Sequence, residues 1–173
     1  MRRFLLLTLG LILSSITMAQ VQIRVPATRV SFEFPDNSWK FLETINVDAT
    51  TTVYLYSYKG GIVVDKQGDT VLPNLRIYVR TGYKPSVYDL ITERYMQQPF
   101  QSIDEYSQGL PAEGLGYIGG HQNTQDGKYY KFRMIYFKDN TTAFEFRITT
   151  TLDTYDIMEQ EFERILKSVK IES

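Results

Sequence analysis

Short runs of alternating apolar and polar residues recur along most of the chain and constrain its fold more than any other feature. Val30, Phe32 and Phe34 alternate with polar neighbours, and a period of two returns in residues 51–58 and 75–79. This alternation is typical of strands that turn one face toward a core. We therefore predict a mainly antiparallel sheet of about six strands.

Two segments have helical periodicity instead. Ser86 followed by Asp89 is a capping-box pattern and predicts a helix over residues 86–97. A second and stronger pattern predicts a helix over residues 154–168. The apolar face of this second helix comprises Tyr155, Met158, Phe162, Ile165, Leu166 and Val169. Sheet and helices together indicate an α+β fold in which helical layers cover the sheet.

The last three strands are predicted to form a meander. Asp126-Gly127 is a hairpin signal between residues 117–124 and 128–138. For the next turn we favour a three-residue loop at residues 139–141, because it gathers one apolar face. That loop pairs Tyr136, Met134 and Phe132 with Phe144, Phe146 and Ile148. A two-residue loop, with Arg133 opposite Phe146, is the alternative.

The first 19 residues have the features of a secretory signal peptide. Arg2 and Arg3 precede an apolar run at residues 4–16, which is shorter than the ~20 residues that a membrane span needs. Small residues before Gln20 predict cleavage between Ala19 and Gln20. We expect a secreted or periplasmic protein with no integral membrane segment after cleavage. Residues 20–27 are then a short lead-in, and residues 28–173 form a single domain.

Composition excludes several classes of function. The chain has 173 residues, no cysteine and one histidine. A disulfide framework, a thiol nucleophile and a multi-histidine metal site are therefore excluded. The net charge of −1 gives no broad electrostatic surface for nucleic acid. We predict no cofactor, no metal and no nucleic-acid partner.

One glycine motif resembles a dinucleotide-binding fingerprint. Residues 114–119 match G-x-G-x-x-G, with Asp139 further along the chain. A dinucleotide site needs a strand before these glycines and a helix after them, because the helix N-terminus receives the pyrophosphate. Here the glycines lead to a hairpin, so we interpret them as the entry to an edge strand.

Three other groups of residues are of types found in catalytic or metal-binding sites, but none of them forms a complete site. His121 could serve as a general base, but no G-x-S-x-G elbow supplies a nucleophile. The pair Asp104-Glu105 could act as the two carboxylates of a glycosidase, but it falls in residues 98–111, a predicted surface loop. Residues 65–69 lack the acids of a calcium loop. We assign no catalytic, cofactor-binding or metal-binding residue and predict that the protein is not an enzyme. A hydrolase that uses His121 with an acid is the least favoured alternative.

Two segments are candidate binding surfaces. Tyr54, Tyr56 and Tyr58 share one face of a predicted strand. If exposed, these rings could bind a partner or stack on sugars, and if buried they pack under a helix. Residues 98–120 form a long connection, and long connections are often functional. The sequence does not decide between these surfaces.

Two further segments carry a resemblance to a known family. Residues 32–39, Phe-Glu-Phe-Pro-Asp-Asn-Ser-Trp, resemble the strand, proline, turn and tryptophan that open PsbP-like domains. Residues 162–170 resemble the closing helix of that superfamily and its Ser-apolar-basic end. The order of elements between them also fits, over roughly residues 28–172. The resemblance implies an α/β/α sandwich of the secreted bacterial PsbP/DcrB-like type, whose members mostly bind proteins.

We therefore expect a secreted, non-catalytic protein-binding or assembly-accessory domain, with an unidentified protein partner in the cell envelope and a periplasmic location. The alternative is a carrier for a small ligand, either a lipid or a glycan.

Overall fold

The computed structural model describes residues 20–97, 102–106, 109–111, 113–123 and 126–173. The predicted signal peptide, residues 1–19, lies outside the described residues. In chain order the elements are β1 (Val21–Arg24), β2 (Val30–Phe34), β3 (Trp39–Asn46), β4 (Thr51–Tyr58), β5 (Val63–Val64), β6 (Thr70–Val71), β7 (Asn74–Arg80), α1 (Val87–Gln97), β8 (Ser102–Tyr106), β9 (Leu115–Gln122), β10 (Tyr129–Asp139), β11 (Thr142–Thr151), α2 (Leu152–Lys167) and β12 (Lys170–Ile171).

The main sheet has seven strands in the order β3-β4-β7-β11-β10-β9-β8, and every neighbouring pair is antiparallel. The predicted α+β class and mainly antiparallel sheet are confirmed. The sheet exceeds the expected six strands because β8 lies inside residues 98–111, which were predicted to be a loop. This strand pairs with β9 and forms one edge of the sheet.

The register predicted for β10 and β11 is wrong by one residue. Phe137 pairs with Phe144 and Ile135 with Phe146, so the turn is the two-residue connection Asn140-Thr141. The pairing given for the alternative is also wrong, because Arg133 lies opposite Ile148. Asn140 has a φ of 55°, a left-handed conformation that asparagine tolerates better than most residues. A register that gathers the apolar residues on one face is not favoured here, because both faces of this strand pair are buried.

The two faces of β10 pack against different elements. Ile135 and Phe137 belong to a core cluster shared with α2 and with β2, while Phe132, Met134 and Tyr136 belong to a second cluster beneath α1. Because successive side chains on a strand point to opposite faces, the two helices cover opposite faces of the sheet. Among the described helices, none is long and apolar enough to cross a membrane.

Both helices occur close to where their patterns predict them. At the start of α1, the Ser86 N–H donates to Asp89 Oδ2 (2.8 Å) and the Asp89 N–H donates to Ser86 Oγ (3.2 Å), which is a complete capping box. α2 begins at Leu152, two residues before the predicted start, and its buried face contains Tyr155 and Phe162 as expected.

A smaller sheet, in the order β1-β2-β12, lies beside α2. β1 falls within residues 20–27, which were predicted to be a lead-in, and pairs with β2 through four residues. The Ser168 hydroxyl, just after α2, donates to the Ile165 carbonyl (2.6 Å) and accepts the backbone N–H of Glu33 in β2 (2.8 Å). The end of the helix is thereby fixed to this sheet.

Candidate functional site

The tyrosine-rich strand packs against the core and is not an exposed ladder of rings. Tyr56 is buried, and its ring lies 5.9 Å from that of Phe32 and 5.4 Å from that of Phe34, centroid to centroid. Tyr54 and Tyr58 are partly buried against the same cluster. The sequence leaves open whether these rings are exposed or packed, and the structure shows that they pack against the core.

The second candidate surface, residues 98–120, is largely strand. β8 and the start of β9 occupy much of it, while residues 98–101, 107–108 and 112 lie outside the described residues. Asp104 and Glu105 are exposed on β8, at the edge of the sheet. The Tyr117 hydroxyl donates to Glu105 Oε2 (3.4 Å), and burial together with this carboxylate raises the pKa of Tyr117 to about 12.

His121 lies on β9 and is half-buried. Its ring stacks on that of Tyr130 (centroids 6.0 Å apart, planes at 21°), and its Nδ1 is buried without a hydrogen-bond partner in the described part of the chain. Burial and the nearby Arg147 charge lower the pKa of His121 and favour the neutral imidazole. No described hydrogen bond or ion pair joins this histidine to a carboxylate.

The glycines at residues 114–119 lead into β9, and most of them lie within that strand. The prediction of an edge strand is wrong here, because β9 pairs with β10 on one side and with β8 on the other. The strand–turn–helix order of a dinucleotide site does not occur there. A Cβ on Gly116 would lie 2.4 Å from Cζ of Tyr106, so glycine at this position admits the ring of a cross-strand neighbour. Asp139 instead pairs with Arg29, whose Nε donates to Oδ2 (3.1 Å).

The acids at residues 65–69 bind an ammonium group of the protein itself. Lys128 Nζ contacts Asp65 Oδ2 and lies 2.7 Å from Asp69 Oδ2. Asp65 Oδ1 accepts the backbone N–H groups of Gln67 (3.0 Å) and Asp69 (2.9 Å). Within the described ranges, no three His, Cys, Asp or Glu side chains are grouped so that they could hold a metal ion.

An exposed apolar strand edge emerges as the candidate site. β3 is an edge of the main sheet, with β4 on one side and no described strand on the other. Its first residue, Trp39, is buried, and the other seven are exposed. We define the β3 edge as residues 40–47. The apolar residues on it and their exposed fractions are Phe41 (53%), Leu42 (49%), Ile45 (42%) and Val47 (60%).

A β-bulge shapes this edge. Phe41 pairs with Tyr56 and Glu43 with Leu55, which leaves Leu42 without a partner on β4. Phe41 and Ile45 fall on opposite faces of the sheet, since Phe41 contacts the buried Tyr56 ring (5.5 Å) while Ile45 pairs with Val53 on the α1 face. A strand added at the edge would therefore meet apolar side chains on both faces.

Exposed apolar edge strands are uncommon because their free N–H and C=O groups can pair with another chain. Two charged residues, Lys40 and Glu43, interrupt the apolar surface. Charged residues on an edge strand limit unspecific pairing with other chains, but they leave its backbone groups accessible. The sequence predicts a strand here from Phe41, Ile45 and Val47. An alternating pattern, however, leads one to expect that one face of the strand is buried. Local periodicity gives no signal that a strand will lie at the edge of a sheet.

Two solved structures are similar in fold. One is a crystal structure from Bacteroides thetaiotaomicron VPI-5482, with 14% identity and a TM-score of 0.56, in which the match covers 88% of this chain and 48% of that chain. The other is LpqN of Mycobacterium tuberculosis, described as involved in cell envelope biogenesis, with 10% identity and a TM-score of 0.51, covering 90% of this chain and 91% of LpqN.

The chain thus spans about half the length of the Bacteroides protein. At these identities the likeness shows the fold alone. No protein-family model and no curated protein matches the chain.

Proposed function

We propose that the chain is a secreted, non-catalytic domain of the PsbP-like type that binds a protein partner in the cell envelope through the β3 edge. The observation that carries this proposal is the run of eight exposed residues at the β3 edge, four of which are apolar. An edge of this kind offers backbone hydrogen bonds for affinity and side chains for specificity, as in recognition by strand addition.

The contact between the two segments that resemble PsbP-like domains supports the family assignment. Residues 32–39 and 162–170 are distant in sequence, yet Trp39 and Phe162 pack with ring centroids 6.4 Å apart. The bond between the Glu33 N–H and Ser168 Oγ joins the same two segments. They form one structural unit, as expected if both belong to the same family pattern.

The envelope location rests on two further observations. Residues 1–19 have the composition of a signal peptide, with Arg2 and Arg3 before an apolar run. LpqN, whose fold is similar, is described as involved in cell envelope biogenesis. A role in assembly at the envelope is consistent with both.

The proposed binding mode predicts which side chains matter. A partner strand lying antiparallel or parallel to β3 would bond to the free backbone groups between Lys40 and Val47. Ile45 would be covered by the partner on the α1 face, and Phe41 on the other. A charge at position 45 would then be buried on binding and would oppose it.

The test is affinity capture from envelope extract with the chain beginning at Gln20, followed by binding measurements on the purified partner. We expect one stoichiometric protein to bind, and Ile45→Lys to weaken its binding at least tenfold. The matched control is Ile157→Lys on α2, since Ile157 is also highly exposed (72%) but lies away from the β3 edge. This variant should bind as the wild type does.

Four results would overturn the proposal. Equal binding by both variants would remove the β3 edge from the interface. A concentration-dependent dimer that Ile45→Lys abolishes would make a second copy the partner. Capture of a lipid or glycan without any protein would favour the carrier function, and turnover lost in His121→Ala would identify an enzyme.

A further inference from the structure

A polar groove on the α1 face of the main sheet lies beyond the region that α1 covers. We call it the His121 groove. Five sheet residues line it, namely Asn74, Arg76, His121, Tyr130 and Thr151. Residues 70–72 and the turn containing Asp126 and Lys128 form its sides. Its volume of about 600 Å³ falls in the range of small-molecule sites.

The groove contains a cation that no described carboxylate neutralises. Arg76 is exposed, and no described carboxylate lies within ion-pair distance of it. Its cross-strand neighbour on β11 is Arg147, which is buried. Like charges directly opposite each other on a sheet are unfavourable. An anion beside Arg76 would relieve this repulsion.

The carboxylate nearest to this arginine pair is already shared. Glu145 Oε1 lies 2.7 Å from Nη2 of Arg147, while Glu145 Oε2 accepts a hydrogen bond from Nε of Arg94 (2.8 Å). One buried carboxylate therefore serves two guanidinium groups. Arg76, on the wall of the His121 groove, adds a further positive charge to this set.

Two aromatic rings line the same groove as this charge. The His121 and Tyr130 rings stack at 6.0 Å, and both residues are partly exposed. The Tyr130 ring is held in place because its hydroxyl donates to Asp126 Oδ2 (2.9 Å). Burial and Arg147 lower the pKa of His121 and so favour the neutral imidazole. This surface suits the face of a ligand ring.

A carboxylate at the rim of the groove can bind hydroxyls, whereas Asn74 Oδ1 and His121 Nδ1, which have no hydrogen-bond partner in the described chain, are buried beneath its surface. On the opposite side, Asp126 is a hydrogen-bond acceptor at the rim, and its charge is partly offset by Lys128. The Asp126 carboxylate would repel a purely anionic ligand, whereas a sugar hydroxyl could donate a hydrogen bond to it.

We propose that the His121 groove binds an acidic saccharide, with its carboxylate at Arg76, its ring against His121 and Tyr130, and its hydroxyls toward Asp126. Arg76 supplies a forked donor that matches a carboxylate. This site is separate from the β3 edge and does not depend on protein binding there.

The test uses the lone histidine as a reporter. Because the chain has one histidine, the imidazole signals in an NMR spectrum belong to His121 alone. Three probes are titrated into the chain beginning at Gln20, namely D-glucuronate, D-glucose and acetate. We expect saturable shifts of the His121 signals with glucuronate, and binding of glucose and acetate that is at least tenfold weaker.

Two arginine variants locate the site. Arg76→Gln should weaken glucuronate binding about tenfold, the usual effect of losing one charge-assisted pair. Arg76→Lys should give an intermediate loss, because it keeps the charge but not the fork. Arg164→Gln, which removes an exposed guanidinium on α2, should have no effect. Since Arg76 faces Arg147, we expect Arg76→Gln to fold with undiminished stability.

Each other outcome overturns the proposal. If glucose binds as tightly as glucuronate, Arg76 does not select an acid. If acetate binds as tightly, the groove is an anion site without recognition of a ring. If no probe shifts the His121 signals at millimolar concentration, or if Arg164→Gln matches Arg76→Gln, the groove does not bind acidic saccharides.

Discussion

The indole N–H of Trp39 donates to Oε1 of Glu161 across 2.6 Å and joins the first residue of β3 to α2. The indole also stacks on Phe34, with centroids 5.4 Å apart and planes at 3°. One end of the exposed β3 edge is thereby fixed in the core. A preformed edge of this kind loses less conformational entropy when a partner strand binds.

The burial of Glu161 predicts a pH-dependent stability. Burial raises the pKa of Glu161, and this effect exceeds the opposing effect of the Trp39 hydrogen bond. A raised folded pKa means that the folded state binds the proton more tightly than the unfolded state. The contribution of Glu161 to stability is therefore most favourable below the unfolded value of about 4.3 and declines as the pH rises through the folded pKa.

The comparison of Glu161→Gln with wild type isolates this contribution, because glutamine can still accept the indole hydrogen bond. The stability of the variant relative to wild type should increase as the pH rises above about 4.3. Trp39 is the only tryptophan, so its fluorescence should also titrate with Glu161 in wild type and stay flat in the variant. A stability difference that is constant with pH would contradict the assignment.

Phe162→Ala should cost about 3–5 kcal/mol of unfolding free energy. Phe162 is fully buried, and its ring meets those of Tyr155 (5.8 Å) and Trp39 (6.4 Å). Removing it leaves a cavity where α2 packs on the sheet. Urea denaturation measures the loss, and Ile157→Ala on the exposed face of α2 should change stability by less than about 0.5 kcal/mol. A loss below roughly 1 kcal/mol for Phe162→Ala would mean that this face is not the core.

The elements with local signals were predictable from sequence. The capping pair Ser86 and Asp89 placed the start of α1, and the spacing of Tyr155 and Phe162 identified the buried face of α2. Both signals rest on contacts between residues close in sequence. They do not depend on how the sheet is ordered.

The features that depend on long-range packing were not predictable. The β10–β11 register could not be read from an apolar face, since Phe132 and Ile135 are both fully buried on opposite faces. The exposure of Ile45 follows from the order of strands, which places β3 at an edge. The opposition of Arg76 and Arg147 likewise arises only when β7 and β11 pair.

Export with cleavage before Gln20 is a further prediction. The positive start and the apolar run at residues 4–16 are typical of a cleaved signal peptide. Mass spectrometry of the protein from its native host should find an N-terminus at Gln20, which can cyclise to pyroglutamate. Changing Arg2 and Arg3 to Glu should slow export and retain the precursor. An intact chain beginning at Met1 in the cytoplasm of the unmodified host would refute the prediction.

The contact of Tyr106 with Gly116 predicts a destabilising alanine substitution that a second change can relieve. In Gly116→Ala the new Cβ would lie 2.4 Å from Cζ of Tyr106, so the ring must leave its position beside Arg133. We expect a loss of about 1–3 kcal/mol, the usual cost of overpacking, with faster amide exchange in β8. The loss should shrink when Tyr106→Leu is already present, because the shorter side chain leaves room for the methyl group. Gly61→Ala is the control, since a Cβ there has no neighbour within 4 Å. Denaturation of wild type, the two single variants and the double variant gives the coupling. Additive losses for Gly116→Ala and Tyr106→Leu would show that the ring does not lie over Gly116.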